Sequence, residues 1–430
     1  VTTATGAHRR SLAFHRNFRQ LWVGDAFGQF GAQLTGLVLP IFAVTVLDAT
    51  PWQMGALTAA ETAAFLVIGL PAGAWVDRMR KRRTLIVADL VRAAALAVVV
   101  VAAATGTASI PLLIAAALVI SAATVFFDVA HQSYVPGLVG LDHVVEGNSK
   151  LQATQSVAMV VAPAVGGALL RVISAPALIA TTVGTYLVSA LWLGRIRHEE
   201  TLPRREDRRP LRTEIAEGLR FVVHQPLLRR IVACTSLGNL FGSIGGALMV
   251  IFALRVVGLD EAALGLVFSL SAVGGLLGAV AAERMARWVG EARIIPVSAV
   301  AGGLTYALNP LALVLADVAP PAAVLVVAGF GFSFWVVVYN VAQVSFRQRL
   351  CPPALLGRMN ASVRFIVWGT MPIGGLLGGW LGTAVGVEGS LWVAAVGMTL
   401  AALPVVLSPL RTLTALPRPT DDDAAEPQRS

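Results

Sequence analysis

Four acidic residues stand inside otherwise apolar runs of this chain: Asp25, Glu61, Asp89 and Asp128. If those runs cross a bilayer, each ionised side chain costs at least ~2.5–3.5 kcal/mol at the membrane centre, so acids placed there are rarely idle. Desolvation brings the neutral and charged forms of a carboxyl close in energy, and such a group can take up and release a proton. Asp89 stands three residues before Arg92, on one helical face, and reads as a local ion pair. Asp25 opens a stripe with Gln29 and Gln33 at four-residue spacing, and Glu61 has no obvious partner near it. Asp25 and then Glu61 are the candidates for proton coupling. The plainer reading is a permanently protonated carboxyl hydrogen-bonded between helices.

The elements that must position these acids follow from composition. Of 430 residues, 56% are hydrophobic and only 13% charged, and the mean hydropathy is +0.75. A soluble protein of this size needs more polar surface. A bilayer takes about 20 apolar helical residues per crossing. Twelve stretches fit, at roughly 20–46, 52–76, 84–105, 110–130, 149–170, 175–194, 231–254, 262–282, 294–316, 321–344, 360–384 and 389–409. Their Gly and Pro are compatible with helices, because neighbouring spans satisfy freed backbone groups. The chain therefore reads as an all-α polytopic membrane protein. The net charge of +9 does not point to nucleic acid, because all 33 Lys and Arg except Arg92, Arg171 and Arg255 fall in the N-terminal arm, the loops after spans 2, 4, 6, 8 and 10, the first five residues of the spans those loops lead into, and the tail. The positive-inside rule then places both termini in the cytoplasm. Arg outnumbers Lys 31 to 2, which fits a GC-rich bacterial genome and an inner-membrane location.

Other chemistries find little support. Cys234 and Cys351 make neither a disulfide framework nor a metal site, and the six His lie in cytoplasmic segments or near span ends without ligand spacing. Neither Lys81 nor Lys150 follows Gly, so no phosphate-binding loop is present. No nucleophile, base and metal-ligand constellation marks an enzyme. No cofactor is expected, and the energy source is the proton gradient. The first apolar run carries Asp25, Gln29 and Gln33 and reads as a retained span, not a signal peptide.

The chain also repeats itself. Gly28 and "IFA" (41–43) recur as Gly238 and "IFA" (251–253), and Gly55 recurs as Gly265, each at an offset of 210. "GAWVDRM" (73–79) recurs as "AVAAERM" (279–285), and Asn148 with Gly166-Gly167 recurs as Asn360 with Gly378-Gly379. Two matched six-helix bundles, 20–194 and 231–410, follow. They are related by a pseudo-two-fold axis along the membrane normal, the arrangement of transporters whose halves rock about a midplane site. A cytoplasmic arm (1–19), a linker (195–230) and a disordered cytoplasmic tail (411–430) complete the domains. In the linker, Leu211, Ile215, Leu219 and Val222 share a stripe that suggests a helix lying on the inner leaflet.

Three motifs carry a family resemblance. "GAWVDRMRKR" resembles the loop 2–3 signature of the major facilitator superfamily, with Arg80 where that signature has its second Gly. "APAVGGALL" (162–170) resembles its antiporter motif, with Ala162 before Pro163. "FFDVAHQSYVPGLV" (126–139) and "PPALLGRMNASVRF" (352–365) are similar to the branch of siderophore and macrolide exporters, the transmembrane secretion effector type. The usual span-4 arginine motif is absent.

The resemblance implies a major facilitator fold and a set of roles. Gly73, Asp77, Arg78, Lys81 and Arg82 form a gating latch, with Asp77 meeting the start of span 11 near Arg358 or Arg364 and Lys81 reaching Asp128, so that the outward-open state is held. Pro163, Gly166 and Gly167 form a kinked, closely packed segment of span 5. The substrate wall comes from spans 1, 4, 7 and 10: Gln29 and Gln33; Thr235, Asn239 and Ser243; and Phe332, Trp335, Tyr339 and Gln343. The function implied is proton-coupled efflux of a hydrophobic or amphipathic small molecule, a drug, siderophore or secondary metabolite, by a monomer in the lipid bilayer. An importer or lysolipid flippase on the same scaffold is the alternative, followed by a non-transporting sensor or membrane enzyme.

Overall fold

The computed structural model describes residues 12–76, 78–140, 143–198, 200, 211–352 and 355–412, and every regular element among them is helical. In the N-terminal half, span 1 is Arg16–Thr45, span 2 is Pro51–Val67 continued by Gly69–Val76, and span 3 is Lys81–Ala104. Span 4 is Ile110–Val139, span 5 is Val144–Leu169 and span 6 is Ala175–Gly194. A linker helix, Leu211–His224, leads to span 7, Pro226–Ile251, which closes in the π-helical turn Phe252–Val256. Span 8 is Glu261–Val289, span 9 is Ile294–Tyr306 with Leu308–Val314, and span 10 is Pro321–Leu350. Span 11 is Leu356–Ala384 and span 12 is Gly386–Leu400 with Leu403–Val406. Ten of these are long and apolar enough to cross a membrane. Spans 2 and 5 complete the twelve. The first is interrupted at Ile68 and the second begins with the polar run "VVEGNSKLQATQS".

Local chemistry sets the helix ends. Thr50 and Gln53 form a reciprocal capping box at the start of span 2, with Pro51 in the first turn where its missing N–H costs nothing. Asp260 caps span 8 by accepting from the Ala263 N–H at 2.6 Å. The start of span 1, the linker helix and the end of span 12 lie at one face of the bundle, called here the terminal face; the loops after the odd-numbered spans form the far face.

The halves meet along span 2 with span 11 and along span 5 with span 8. Both seams are built on glycine. A Cβ added to Gly167 would lie 3.0 Å from both Gly265 Cα and Glu261 O, and one added to Gly379 would lie 2.9 Å from Gly55 Cα. Only helices without side chains at those points approach this closely. The glycines that recur between the halves therefore meet one another: Gly55 of span 2 faces Gly379 of span 11, and Gly265 of span 8 faces Gly167 of span 5. Gly166 faces inward within its own half, against Leu34 and Leu37 of span 1. Pro163 is accommodated inside a continuous span 5, and its carbonyl faces Gly265.

The linker helix differs from the leaflet-bound expectation over its last turns. Val222 is buried, and Gly218 packs on the backbone of Arg358 and on Ser362 at the start of span 11. A glycine on the apolar stripe lets this helix dock on protein. The side chains of Leu211 and Ile215 lie outside the described residues, as does the tail beyond Thr412.

Filling a seam should unbalance it. Gly265→Val overpacks the span 5–span 8 contact, a class of change that costs about 1–3 kcal/mol. Where every 1.4 kcal/mol is about tenfold, the protein should spend more time open at the far face. A cysteine at Asn340, in a Cys234→Ser, Cys351→Ser background, should then react faster with an impermeant thiol reagent applied to the far face. An unchanged rate would mean that the seam does not control closure.

Candidate functional site

A cavity of about 510 Å³ lies at mid-depth between the halves. Span 2 contributes Glu61, with Thr58 about a turn before it and Thr62 next to it, and span 1 contributes Gly36 and Pro40. Span 7 brings Thr235, Asn239 and Ser243, whose four-residue spacing aligns them on one helical stripe. Span 10 brings Phe332, Val336, Tyr339 and Asn340, and Met54, Met371 and Met398 close the wall. Two of the polar groups are held in place: Thr235 Oγ1 lies 2.8 Å from Tyr339 Oη, and Asn239 Nδ2 donates to Val367 O of span 11 at 3.0 Å. Glu61 has no hydrogen-bond or ionic partner among the described residues. A chamber lined by methionine, aromatic rings, hydroxyls and one carboxyl suits a bulky apolar body carrying a cationic group.

Two predicted wall residues of span 10 lie elsewhere. Trp335 packs over Gly302 of span 9, where the absent side chain leaves room, and its ring meets Phe334 edge-on at 5.2 Å. Gln343 is buried below the cavity and bonds Asn340. Gln29 and Gln33 of span 1 do not line the cavity either; Gln29 donates to Asp25 at 3.4 Å. Span 4, expected as a wall, contributes nothing to it, because the cavity is set toward the C-terminal half.

The other intramembrane acids gather inside the N-terminal half. Asp89 is fully buried, paired with Arg92 at 3.1 Å and bonded by Ser189 Oγ at 2.6 Å. The Arg92 guanidinium lies over the rings of Phe127 at 4.5 Å and Tyr186 at 5.5 Å, so the pair is locked by packing. Asp25 is also buried, with His131 Nε2 3.4 Å from its Oδ1. His131 stacks on Phe127 at 5.8 Å. This histidine lies just beyond the apolar run of span 4, which ends near 130, and is brought inside the bundle because the helix continues to Val139. The usable signal was the spacing of Asp128 and His131, three apart on a helix.

The same extension corrects the expected latch. Asp128 sits near mid-helix, not at its inner end, and Lys81, in the first turn of span 3, does not reach it. Asp128 instead faces Arg364 of the other half at 3.9 Å. Arg364 lies over Trp368 at 5.2 Å and Phe65 at 5.9 Å, and these two rings touch each other at 4.5 Å. Asp77 lies outside the described residues. Arg358 pairs with Glu217 of the linker helix. The Lys81 and Arg82 N–H groups donate to Glu200, Arg78 is exposed, and Gly73 lines a smaller 280 Å³ cavity beside Phe65, Gln132 and Arg364 on the terminal side.

The far face is bridged by two of the three arginines that the charge asymmetry left out of the cytoplasmic set, Arg255 and Arg171. Arg255 of the C-terminal half reaches Asp48 at 2.7 Å and donates to Val44 O at 2.7 Å and Ala49 O at 2.9 Å. Arg171 of the N-terminal half reaches Asp260, the cap of span 8, at 3.2 Å. One arginine from each half thus crosses to the other. Among the described residues no cluster of three or more His, Cys, Asp or Glu is placed to hold a metal.

Comparison with known proteins agrees with this architecture. Residues 21–369 match the family model described as Major Facilitator Superfamily. The chain belongs to that superfamily, and it is a membrane transporter, not an enzyme. It is 27% identical over 390 residues to the multidrug efflux pump Tap of Mycolicibacterium fortuitum, covering 84% of this chain and 88% of that one. It resembles the crystal structure of a bacterial homologue of the iron transporter ferroportin in an inward-facing state, with a TM-score of 0.73 and 19% identity over 92% of this chain and 98% of that one. It also resembles an inward-facing, unoccupied bacterial homologue of the human lysosomal transporter Spinster, with a TM-score of 0.69 and 14% identity over 94% and 97% of the two chains.

The far-face bridges should be testable by removal. Hydrogen bonds to a charged group contribute about 1.5–3 kcal/mol each when the partner is shielded. Arg255→Gln should therefore shift the protein about tenfold or more toward far-face opening. Arg171→Gln should act less, because Arg171 is more exposed than Arg255 and meets a single carboxylate without the two main-chain carbonyls. Spin-label distances between the loops after spans 1 and 7 would read the change, and equal distances in wild type and Arg255→Gln would exclude this role.

Proposed function

We propose that this protein exports hydrophobic and amphipathic small molecules, lipophilic cations among them, in exchange for protons by alternating access. The observation that carries the reading is Glu61: an unpaired carboxyl in the wall of a chamber otherwise lined by methionine, aromatic rings and small polar groups. A buried charge without a partner is costly, and a cationic substrate supplies the missing partner. The similarity to a multidrug efflux pump supports the same substrate class.

In this reading both termini lie in the cytoplasm of a bacterial inner membrane, as the loop charge asymmetry favours. The far face is then the outside, and the arrangement described here, bridged at that face by Arg255 and Arg171, is the one that receives substrate from the cytoplasm. Protons are exchanged at Asp25, which has His131 and Gln29 as neighbours, and at Glu61. Asp128 and Arg364 tie the N-terminal network to the C-terminal half. A single exposed or half-exposed ion pair is worth about 0–1 kcal/mol, which suits a contact remade in each cycle. For a neutral substrate, one proton crossing 100 mV supplies about 2.3 kcal/mol, enough for roughly 50-fold accumulation before any pH difference, whereas one-for-one exchange with a monovalent cation moves no net charge and draws on the pH difference alone.

The test is a susceptibility panel on a host stripped of its own pumps, followed by transport in inside-out vesicles. Glu61→Gln should lose at least about tenfold in export of lipophilic cations while neutral substrates are retained, since one full charge pair is removed. Asp25→Asn should lose proton-driven export of every substrate. Normal export by both variants under a proton gradient would refute the coupling assignment, and proton-driven uptake into the cytoplasm would refute the direction.

A further inference from the structure

We propose that the terminal face of the N-terminal half holds a binding site for a phosphate group, presented in the membrane by an anionic phospholipid headgroup. A cavity of about 780 Å³ opens there, lined by Arg16 and Gln20 of span 1, Arg82 of span 3, and Arg195, Arg197 and His198 beyond the end of span 6. Among the described residues no carboxylate lines it. Glu200, which lines the adjoining cavity, has its two oxygens engaged by the Lys81 N–H at 2.6 Å and the Arg82 N–H at 2.8 Å, where it caps span 3. Four guanidiniums facing one concavity, with no counter-charge in its lining among the described residues, repel one another unless an anion joins them, and guanidinium matches phosphate in a two-bonded geometry.

The site is built rather than a loose surface cluster. Arg82 is pinned by donation to the carbonyls of Leu193, at 3.1 Å, and Gly194 at the end of span 6. The Asn17 amide holds the Arg197 backbone from both sides, donating to its carbonyl at 2.9 Å and accepting from its N–H at 3.2 Å. Arg195 lies over the Trp192 ring at 4.8 Å. Gln20 supplies an independent observation. Its side chain is only 7% exposed, lines the cavity, and its Oε1 is sealed from solvent with no hydrogen-bond partner. The arginines offer only donors to a ligand, while Oε1 needs a donor from it. A headgroup carrying a phosphodiester and a hydroxyl, such as phosphatidylglycerol, answers both. The cavity opens where spans 1, 3 and 6 end, the depth at which headgroups lie, and basic pockets between spans on the cytoplasmic side are where anionic headgroups bind. Arginines that served only to fix topology would need water around them, not a shared concavity.

The experiment uses the purified full chain after delipidation. Phosphatidylglycerol, phosphatidylcholine or inorganic phosphate is added back, and retained lipid is counted by native mass spectrometry beside the thermal midpoint. Phosphatidylglycerol should be retained and should raise the midpoint where phosphatidylcholine does neither. The double variant Arg195→Gln, Arg197→Gln should bind it roughly 30-fold more weakly, given about 1 kcal/mol per basic residue near the surface. Gln20→Leu should also weaken retention without changing the charge, and Arg293→Gln with Arg411→Gln, on the terminal face of the other half, should leave it unchanged. A midpoint raised by inorganic phosphate alone, and lost in the double variant, would assign the same site to a soluble phosphate. Equal retention of both lipids by the wild type, or undiminished retention by both the double variant and Gln20→Leu, would overturn the proposal.

Discussion

Close approach of backbones at two glycine seams is the constraint on which the rest of this architecture depends. Within a bilayer no hydrophobic force draws one helical bundle to another, since lipid tails are as apolar as leucine; packing must do it. At Gly55 against Gly379 and at Gly265 against Gly167 the missing side chains let spans from different halves touch almost backbone to backbone. Four glycines in two equivalent places give a hinge line with little side-chain interlock. Such a contact is tight when closed and offers few protruding groups to obstruct a rocking motion. The duplication explains the economy: one glycine pair, copied, produces both seams.

The polar contacts around those seams are of a different strength class. Arg171 with Asp260 is an exposed pair, and Asp128 faces Arg364 only at the limit of ionic contact. Arg255 is better held, by one carboxylate and two main-chain carbonyls. Contacts of this kind bias a two-state equilibrium without locking it, because exposed pairs contribute about 0–1 kcal/mol each and a carbonyl partner can return to water. Packing therefore defines where the halves meet, and in the proposed cycle a few charges at either end bias which end is closed.

Much of this was legible in the sequence for a simple physical reason. The bilayer demands long apolar helices, so span number and order follow from hydropathy, and a repeated glycine at a fixed offset survives because nothing else fits a seam. What was not legible depends on where a helix ends or which way a ring turns. Extending span 4 by nine residues beyond its apolar stretch moved Asp128 to mid-helix, brought His131 beside Asp25 and ended the expected contact with Lys81. Trp335 shares a helix face with cavity residues, yet Gly302 on a neighbouring span takes it out of the wall. That neighbour is 33 residues away in sequence and carries no local signal. Arg171 and Arg255 stood out as the two basic residues in loops after odd-numbered spans, but only the fold shows that each crosses to the opposite half.

The chemistry is divided unequally between two halves of common origin. The N-terminal half keeps the acids, with Asp25, Asp89 and Asp128 set among His131, Arg92 and Ser189, while the C-terminal half supplies most of the chamber through spans 7 and 10. Of these acids, Glu61 lines the chamber from the first half and Asp128 faces Arg364 of the second. If protons are exchanged on one side of the axis and substrate is held on the other, the proposed coupling has few places to cross. Glu61 is one, because a proton and a cationic substrate compete there for the same carboxyl. Asp128 with Arg364 is the other, because losing the charge on Asp128 removes the counter-ion of a guanidinium that, among the described residues, otherwise rests on the rings of Phe65 and Trp368. The first crossing is competition at one site and the second is a shift of the rocking equilibrium. They predict different phenotypes for loss of charge: altered selectivity at Glu61, and altered balance between the two open states at Asp128.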